Sequence, residues 1–223
     1  MKSKRYRKAL NTLEQKKFYD FSEAIELLKR NNFEKSKNLE MSLSLNWSSK
    51  QNNIRDFVSI PHPIKKDRIA IIDENVPSSL KEDKNIVFIS LESLPKVISN
   101  KKKSKWGFNK MFAHSSVLSK IKPFSKILSL KKSFPNIKEG TLSEDLEKSV
   151  NDFKNGKIEL RNDKGGNFHI LIGKTTFDNE QIESNYRTLL KKIISLKPTN
   201  LKGDYIKSIT LSTTMGPGVR IAI

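Results

Sequence analysis

Residues 212–218, STTMGPG, carry three hydroxyls, a thioether and two glycines, but no acid, base or thiol. Hydroxyl groups, and backbone N–H groups exposed at a glycine-containing turn, are good hydrogen-bond partners for phosphate and ribose oxygens. The side chain of Met215 is suited to pack flat on a base or a sugar. The composition therefore fits a loop that receives folded RNA, and it also fits an ordinary hairpin turn.

Side chains that could perform catalysis are not arranged for it. The chain has no cysteine, which excludes disulfides, thiol catalysis and cysteine-ligated metal sites. Its three histidines, His62, His114 and His169, stand too far apart in sequence to form a local metal motif. Acids occur mostly beside lysines, as in residues 144–148, and the phosphate-cradling patterns GxGxxG and GxxxxGKS/T do not occur. We expect no enzyme activity, no metal, no cofactor and no small-molecule substrate.

The charge balance indicates the kind of partner. Lys and Arg number 43 against 24 Asp and Glu, which gives a formal net charge of +19 and a pI near 9.9. Such an excess points to a polyanion, and nucleic acid fits better than an anionic membrane because the basic segments lack a continuous face of bulky apolar residues. No apolar run approaches the ~18 residues that a membrane span needs. An acidic protein partner is the third alternative.

One basic stretch is a separate candidate for nucleic-acid contact. Residues 93–138 contain twelve lysines and no acid. Within this stretch residues 101–105, KKKSK, precede Trp106 and Phe108, and a basic cluster with aromatic side chains can stack bases. The other interpretation is a disordered surface loop.

The segments before and after the middle of the chain have the patterns of amphipathic helices and of strands with one buried face. FSEAIELLKRNNF, residues 21–33, predicts an amphipathic helix with Ser22 as its N-cap, and a second amphipathic helix is predicted over residues 177–196. LEMSLSLNW, residues 39–47, alternates apolar and polar side chains, which predicts a strand with one buried face. Further strands are predicted in DFVSI, in KIELRN and GNFHILIGK around the turn NDKGGN, and in YIKSITLS.

The middle of the chain follows another pattern. From Arg68 the strands RIAII and NIVFISL are short and continuously apolar, which suits a small parallel sheet covered by helices on both faces. A capped helix is predicted over residues 141–156. The change predicts an α/β fold in which residues 1–66 and 157–223 form a discontinuous outer α+β domain of split β-α-β character. Residues 67–156 form an inserted Rossmann-like α/β domain. Most of the positive charge lies in the outer segments, which we expect to be the main platform for nucleic acid.

Several ordered motifs together resemble one family. RNDKGGNFHILIGKTTFD, PTNLKGDYIKSITLSTTMGPG, YDFSEAIELLKRNNFEKS and IPHP are similar to segments of the large-subunit ribosomal protein L-one family. The resemblance covers both ends of the chain well and the middle poorly. It implies an outer α/β domain built from both ends of the chain, a smaller inserted Rossmann-like domain, and a structural role in the large ribosomal subunit.

The resemblance also implies partners and contact residues. The family's outer domain grips folded large-subunit rRNA to form the mobile side stalk beside the tRNA exit site, which moves during translocation and release of deacylated tRNA. Members can also repress their own mRNA. Carried over by motif, the rRNA-binding residues are Phe33, Ser36, Lys164, His169, Ser212, Thr213, Thr214, Met215, Gly216 and Gly218.

The inserted segment departs from the family pattern. The family stretch LGPRGLMPNPKxGT corresponds here to LSLKKSFPNIKEGTL, residues 128–142, where only Pro135, Asn136, Lys138, Gly140 and Thr141 echo it. This divergence, with an Asn-, Lys- and Ile-rich composition typical of AT-rich genomes, favours an organelle-encoded, mitochondrial protein. The alternatives are the cytoplasm of an AT-rich bacterium or a plastid.

A competing hypothesis is a small basic nucleic-acid-processing α/β enzyme. Such an enzyme needs a metal or an acid cluster at one end of the inserted sheet. Asp73, Glu74, Glu82 and Asp83 are the local candidates.

Overall fold

The computed structural model describes residues 4–13, 17–31, 37–46, 54–64, 68–73, 85–99, 106–130, 133–199, 201 and 203–222. The chain folds into two compact units. The outer unit comprises residues 1–64 and 156–223, and the inserted unit comprises residues 65–155. Both units combine helices with sheets, so the α/β class predicted from the sequence is confirmed.

The outer unit is built on a four-stranded antiparallel sheet of order β10-β9-β1-β8. Side chains alternate between the two faces of a strand, so β1 buries Leu39, Met41, Leu43 and Leu45 and turns its polar residues outward. The strands are β1 (Asn38–Leu45), β8 (Asn167–Lys174), β9 (Ile206–Thr213) and β10 (Val219–Ile221).

Helices cover the apolar face of this sheet. Helix α2 (Phe21–Arg30) and helix α7 (Asn179–Ser195) place their buried residues in the same core as β1, β8 and β9. The predicted N-cap of α2 is wrong: Asp20 occupies that position in extended conformation, and Ser22 lies inside the first turn. A shorter helix, α1 (Lys4–Asn11), precedes α2.

A second, two-stranded sheet completes the outer unit. Strand β2 (Arg55–Ser59) pairs antiparallel with β7 (Lys157–Arg161). Strands β7 and β8 flank the NDKGGN turn, but they meet only at the Asn162–Phe168 bridge and then enter different sheets. The predicted hairpin is thus limited to its turn.

The inserted unit contains a parallel sheet of order β4-β3-β5-β6. All four residues of β3 are buried, and apolar clusters lie on both faces of the sheet, as the continuous apolar runs predicted. The strands are β3 (Ile69–Ile72), β4 (Ile86–Phe88), β5 (Lys110–His114) and β6 (Leu142–Ser143). The helices are α3 (Leu94–Ser99), α4 (Leu118–Ile121), α5 (Ser125–Leu130) and α6 (Leu146–Lys154).

The helix predicted over residues 141–156 is shorter than expected. Leu142 and Ser143 instead form β6, because they pair with Ala113 and His114 of β5. Helix α6 begins after Asp145, whose side chain accepts a hydrogen bond from the Lys148 N–H group at 3.3 Å. Within the described residues, no helix is both long and apolar enough to cross a bilayer.

Candidate nucleic-acid interface

The outward face of the four-stranded sheet is lined with hydroxyls. Apolar and polar side chains alternate along β1 and β9, so the small polar residues other than the buried Thr213 leave the core on the same side. The strand register places Ser44 opposite Ser208, Ser42 opposite Thr210 and Glu40 opposite Ser212. We call this surface the hydroxyl face and define it by Ser42, Ser44, Ser208, Thr210 and Ser212.

His169 lies at one side of the hydroxyl face. It is opposite Ser42 in the β1–β8 register, and its Nδ1 atom is 3.0 Å from the Ser42 Oγ atom. Its Nε2 atom is 3.6 Å from Asp163 Oδ2, and 66% of its side chain is exposed. Sequence alternation allows His169 to point to the core or to the surface, and a core histidine is the commoner outcome. The structure instead turns it outward because Phe168 and Ile170 occupy the core positions on either side.

The turn before β8 is held by Asp163. The Asp163 carboxylate accepts hydrogen bonds from the Asn167 backbone N–H group at 2.7 Å and from the Asn167 side-chain amide at 3.1 Å. These bonds lower the pKa of Asp163 below its ordinary value, the backbone bond having the larger effect. Lys164 is exposed within this turn, so a cation is presented a few residues from His169.

The loop of residues 212–218 is anchored to β1. The Gly216 N–H group donates to the Thr213 carbonyl at 2.9 Å, which closes a β-turn, and the Thr214 N–H group donates to the Asn38 carbonyl at 3.3 Å. The Thr214 hydroxyl donates to Glu40 Oε1 at 2.9 Å. Met215 stands at the tip of the turn with 74% of its surface exposed. The loop is therefore ordered, with an exposed thioether.

The two glycines of this loop are required for space. Neither residue has a positive φ, so neither is selected for a left-handed backbone. A Cβ atom on Gly216 would overlap the Thr213 Oγ1 atom, and a Cβ atom on Gly218 would lie 2.8 Å from the Thr210 Cγ2 atom. Glycine at both positions lets the loop lie directly against β9.

The structure places most of the predicted contact residues on this side of the outer unit. Lys164, His169, Thr214, Met215 and Gly218 are exposed, and Ser212 and Gly216 are partly so. Thr213 differs because its side chain is 6% exposed and packs inward, so it contributes by shaping the turn. Phe33 and Ser36 lie outside the described residues.

Sequence reasoning missed several residues of this surface. Glu40, Ser42 and Asp163 form side-chain contacts with predicted contact residues or their neighbours, but they carry no motif of their own. The signal available was the alternation in LEMSLSL and YIKSITLS, whose outward positions are nearly all serine or threonine. Arg220 of β10, opposite Thr210, adds a cation at the other side of the face.

The proposed base-stacking role of Trp106 and Phe108 is wrong. Both rings are buried, 4% and 2% exposed, and their centroids are 5.7 Å apart in the core of the inserted unit. Both rings pack against other apolar side chains of this core, and the neighbouring lysines give no indication of this burial. The lysine cluster of residues 101–105 lies outside the described residues.

The acid cluster that an enzyme would need is not visible in the part of the chain that the structure describes. Among those residues, no group of three or more His, Asp or Glu side chains could hold a metal ion. Asp73 directly follows β3, whereas Glu74, Glu82 and Asp83 lie outside the described residues.

Comparison with known proteins places the chain in a family. The geometry defines a two-unit α/β protein whose outer unit presents a largely uncharged, hydroxyl-lined surface. The family model described as "Ribosomal protein L1p/L10e family" matches residues 23–217. The large ribosomal subunit protein uL1 of Mycoplasma capricolum is 34% identical over 223 residues, which cover 98% of this chain and 97% of the relative.

Other relatives have the same name. The protein of Thermosipho africanus is 31% identical, with 98% of this chain and 95% of the relative covered, and that of Phytoplasma australiense is 32% identical, with 99% and 96% covered. The chain therefore belongs to the ribosomal protein L1p/L10e family.

Proposed function

We propose that the chain is a structural constituent of the large ribosomal subunit and binds large-subunit rRNA through its outer unit. Family membership supports the ribosomal role. The observation that carries the rRNA site is the anchoring of the 212–218 loop to β1, beside the hydroxyl face and the outward-turned His169. This arrangement offers hydrogen-bonding groups and an exposed Met215 on a fixed backbone, which suits a preformed RNA surface.

The cationic side chains and the hydroxyl-lined surface contribute differently to RNA binding. Cations at the border of the surface, such as Lys164 and Arg220, attract phosphates in a salt-dependent and sequence-independent way. The hydroxyl face and the loop supply contacts to ribose and base edges that depend on the shape of the RNA. The contact residues that we propose are Phe33, Ser36, Lys164, His169, Ser212, Thr213, Thr214, Met215, Gly216 and Gly218.

The further role in translation follows from this rRNA contact. We infer that residues 1–66 and 157–223 act as the rRNA-binding domain, with residues 67–156 as an inserted domain, and that the complex forms the mobile side stalk near the tRNA exit site. The stalk would assist release of deacylated tRNA, with exit-site tRNA and the protein's own mRNA as additional partners. The protein acts without catalysis, as a structural member of the ribosome; the family supports this role.

The compartment is a separate proposal. The AT-rich character and the divergent inserted segment favour an organelle-encoded, mitochondrial ribosomal protein. The relatives named above come from bacteria, including a mycoplasma and a phytoplasma, which supports the alternative of an AT-rich bacterium.

An affinity titration tests the rRNA proposal. The purified protein is titrated against a fragment of its own large-subunit rRNA stalk and against a scrambled RNA of equal length, at two salt concentrations. We expect a preference for the stalk fragment that persists at the higher salt, because contacts to bases and riboses do not depend on counterion release. Equal affinity for both RNAs, lost at the higher salt concentration, would contradict the proposal, because it would show binding by charge alone without specificity for the stalk.

A further inference from the structure

Glu40 is an acid on a surface that is proposed to bind a polyanion. It lies on the outward side of β1, opposite Ser212. Among the described residues, it is the one carboxylate at the outward positions of the four strands of this sheet. In a chain of net charge +19, a carboxylate at this place works against phosphate binding, so its position calls for a specific reason.

The contact between Glu40 and Thr214 determines which hydrogen-bonding groups the loop presents. The Thr214 hydroxyl has a single proton and donates it to Glu40 Oε1 at 2.9 Å. The backbone of Thr214 is held by the Asn38 carbonyl on the same strand, so the loop and the carboxylate keep a fixed relation. The lone pairs of the Thr214 hydroxyl and the remaining lone pairs of the carboxylate are then acceptors placed side by side.

Two adjacent acceptors with a negative charge select the chemistry of the ligand. Phosphate oxygens are acceptors with negative charge, and Glu40 repels them. Base amino groups and ribose 2′-hydroxyls are donors, and RNA carries both. We propose that Glu40 is a specificity-determining residue of the RNA site. With Thr214 it forms a receptor for a hydrogen-bond donor of the folded RNA and turns phosphate away. This inference rests on the proposed rRNA binding by the 212–218 loop.

The substitution Glu40→Gln tests the inference. Glutamine has the same size and still accepts the Thr214 hydrogen bond, but it removes the charge and replaces one acceptor by a donor. We expect the ratio of affinities for the stalk fragment and the scrambled RNA to fall about tenfold, which equals about 1.4 kcal/mol. Binding to the scrambled RNA should rise. Glu183→Gln is the matched control, because Glu183 pairs with Arg187 on α7, on the helical side of the sheet, and its loss should leave the ratio unchanged.

A second variant separates specificity from folding. Thr214→Val keeps the shape of the side chain and removes the proton that Glu40 accepts, so it should lower the ratio as Glu40→Gln does. Both variants should unfold at the temperature of the parent. A parent that prefers the stalk, with an unchanged ratio in either variant, overturns the assignment of Glu40. A parent without any preference instead overturns the proposed rRNA binding itself.

The kind of donor is resolved with a 2′-O-methyl copy of the stalk fragment, which lacks ribose hydroxyl donors and keeps the base amino groups. If the effect of Glu40→Gln is the same on this copy, the donor is a base amino group. If the parent and Glu40→Gln instead bind this copy with the same affinity ratio over scrambled RNA, the donor is a ribose hydroxyl.

Discussion

The side-chain amide of Asn185 forms a pair of hydrogen bonds with the backbone of His62. Its Oδ1 atom accepts from the His62 N–H group and its Nδ2 atom donates to the His62 carbonyl, both at 3.0 Å. The same Nδ2 atom also donates to the Ile172 carbonyl at 3.0 Å. Asn185 is fully buried. Its side-chain amide on α7 therefore provides the hydrogen-bond partner for backbone groups of both the IPHP segment and β8.

The first prediction is that Asn185→Ala destabilises the outer unit. The change removes the partner of three backbone groups, one with a buried and two with part-buried hydrogen bonds, and we expect the free energy of unfolding to fall by about 3 kcal/mol. Urea denaturation measures the effect. Lys191→Ala, at an exposed position of the same helix, should change it by less than about 0.5 kcal/mol. Equal effects of the two changes would contradict the role given to Asn185.

The second prediction concerns the space at Gly216. In Gly216→Ala the new methyl group overlaps the Thr213 Oγ1 atom, whose side chain is buried, and we expect a loss of about 1–3 kcal/mol of unfolding free energy. In a Thr213→Ala background the overlapping atom is absent, so the same change should cost less. A double-mutant cycle measures this coupling. Additive effects would mean that Thr213 is not the obstacle.

The third prediction is that a bulky side chain in the loop weakens specific RNA binding without unfolding the protein. Thr214 is exposed, so Thr214→Phe should leave the unfolding temperature nearly unchanged while lowering affinity for the stalk fragment by about tenfold. Ser195→Phe adds the same ring at an exposed position at the end of α7 and should not affect binding. Equal affinity of Thr214→Phe and the parent would remove the loop from the interface.

The fourth prediction is a pH dependence of stability that originates at Asp163. The pKa of Asp163 is lowered in the folded state, chiefly by the hydrogen bond from the Asn167 backbone. Its contribution to stability is therefore present above the unfolded pKa, near 3.9, and is lost as the pH falls through the folded pKa. Asp163→Asn keeps an acceptor and removes this titration. Stability measured from pH 6 to pH 2 should decline less steeply in the variant, and parallel curves would contradict the assignment.

The sequence predicts the local part of the outer unit well. The alternation in LEMSLSL predicts a one-sided strand, and β1 has this burial pattern. The spacing of apolar residues likewise predicts α2 and α7, because a helix that covers a sheet needs a single apolar stripe. Errors occur where a tertiary contact overrides the local pattern. Leu142 and Ser143 have neighbours that favour a helix, and pairing with β5 makes them a strand.

The candidate site can be predicted only in part from the sequence, because it also depends on tertiary contacts between distant residues. A motif identifies Thr214 and Met215, but the acceptor of the Thr214 proton is Glu40, which lies 174 positions earlier in the chain. Strand register brings the two together, and register depends on the whole alternation of β1 and β9. For Trp106 and Phe108 the local sequence is misleading. The nearby lysines indicate an exposed cluster, but both rings are buried in the core of the inserted unit.

The central position of β1 has a consequence for the timing of biosynthesis. Residues 38–45 leave the translating ribosome early, whereas the partner strands of β1 begin at residues 167 and 206. Until then the apolar face of this strand has no sheet to join, and pairing across such sequence distances is slow. The RNA surface includes β9, so it is assembled only after the 160 residues between Leu45 and Ile206 have been made. A nascent chain that lacks β9 and the 212–218 loop cannot form this surface, so competence for RNA binding follows the synthesis of these residues.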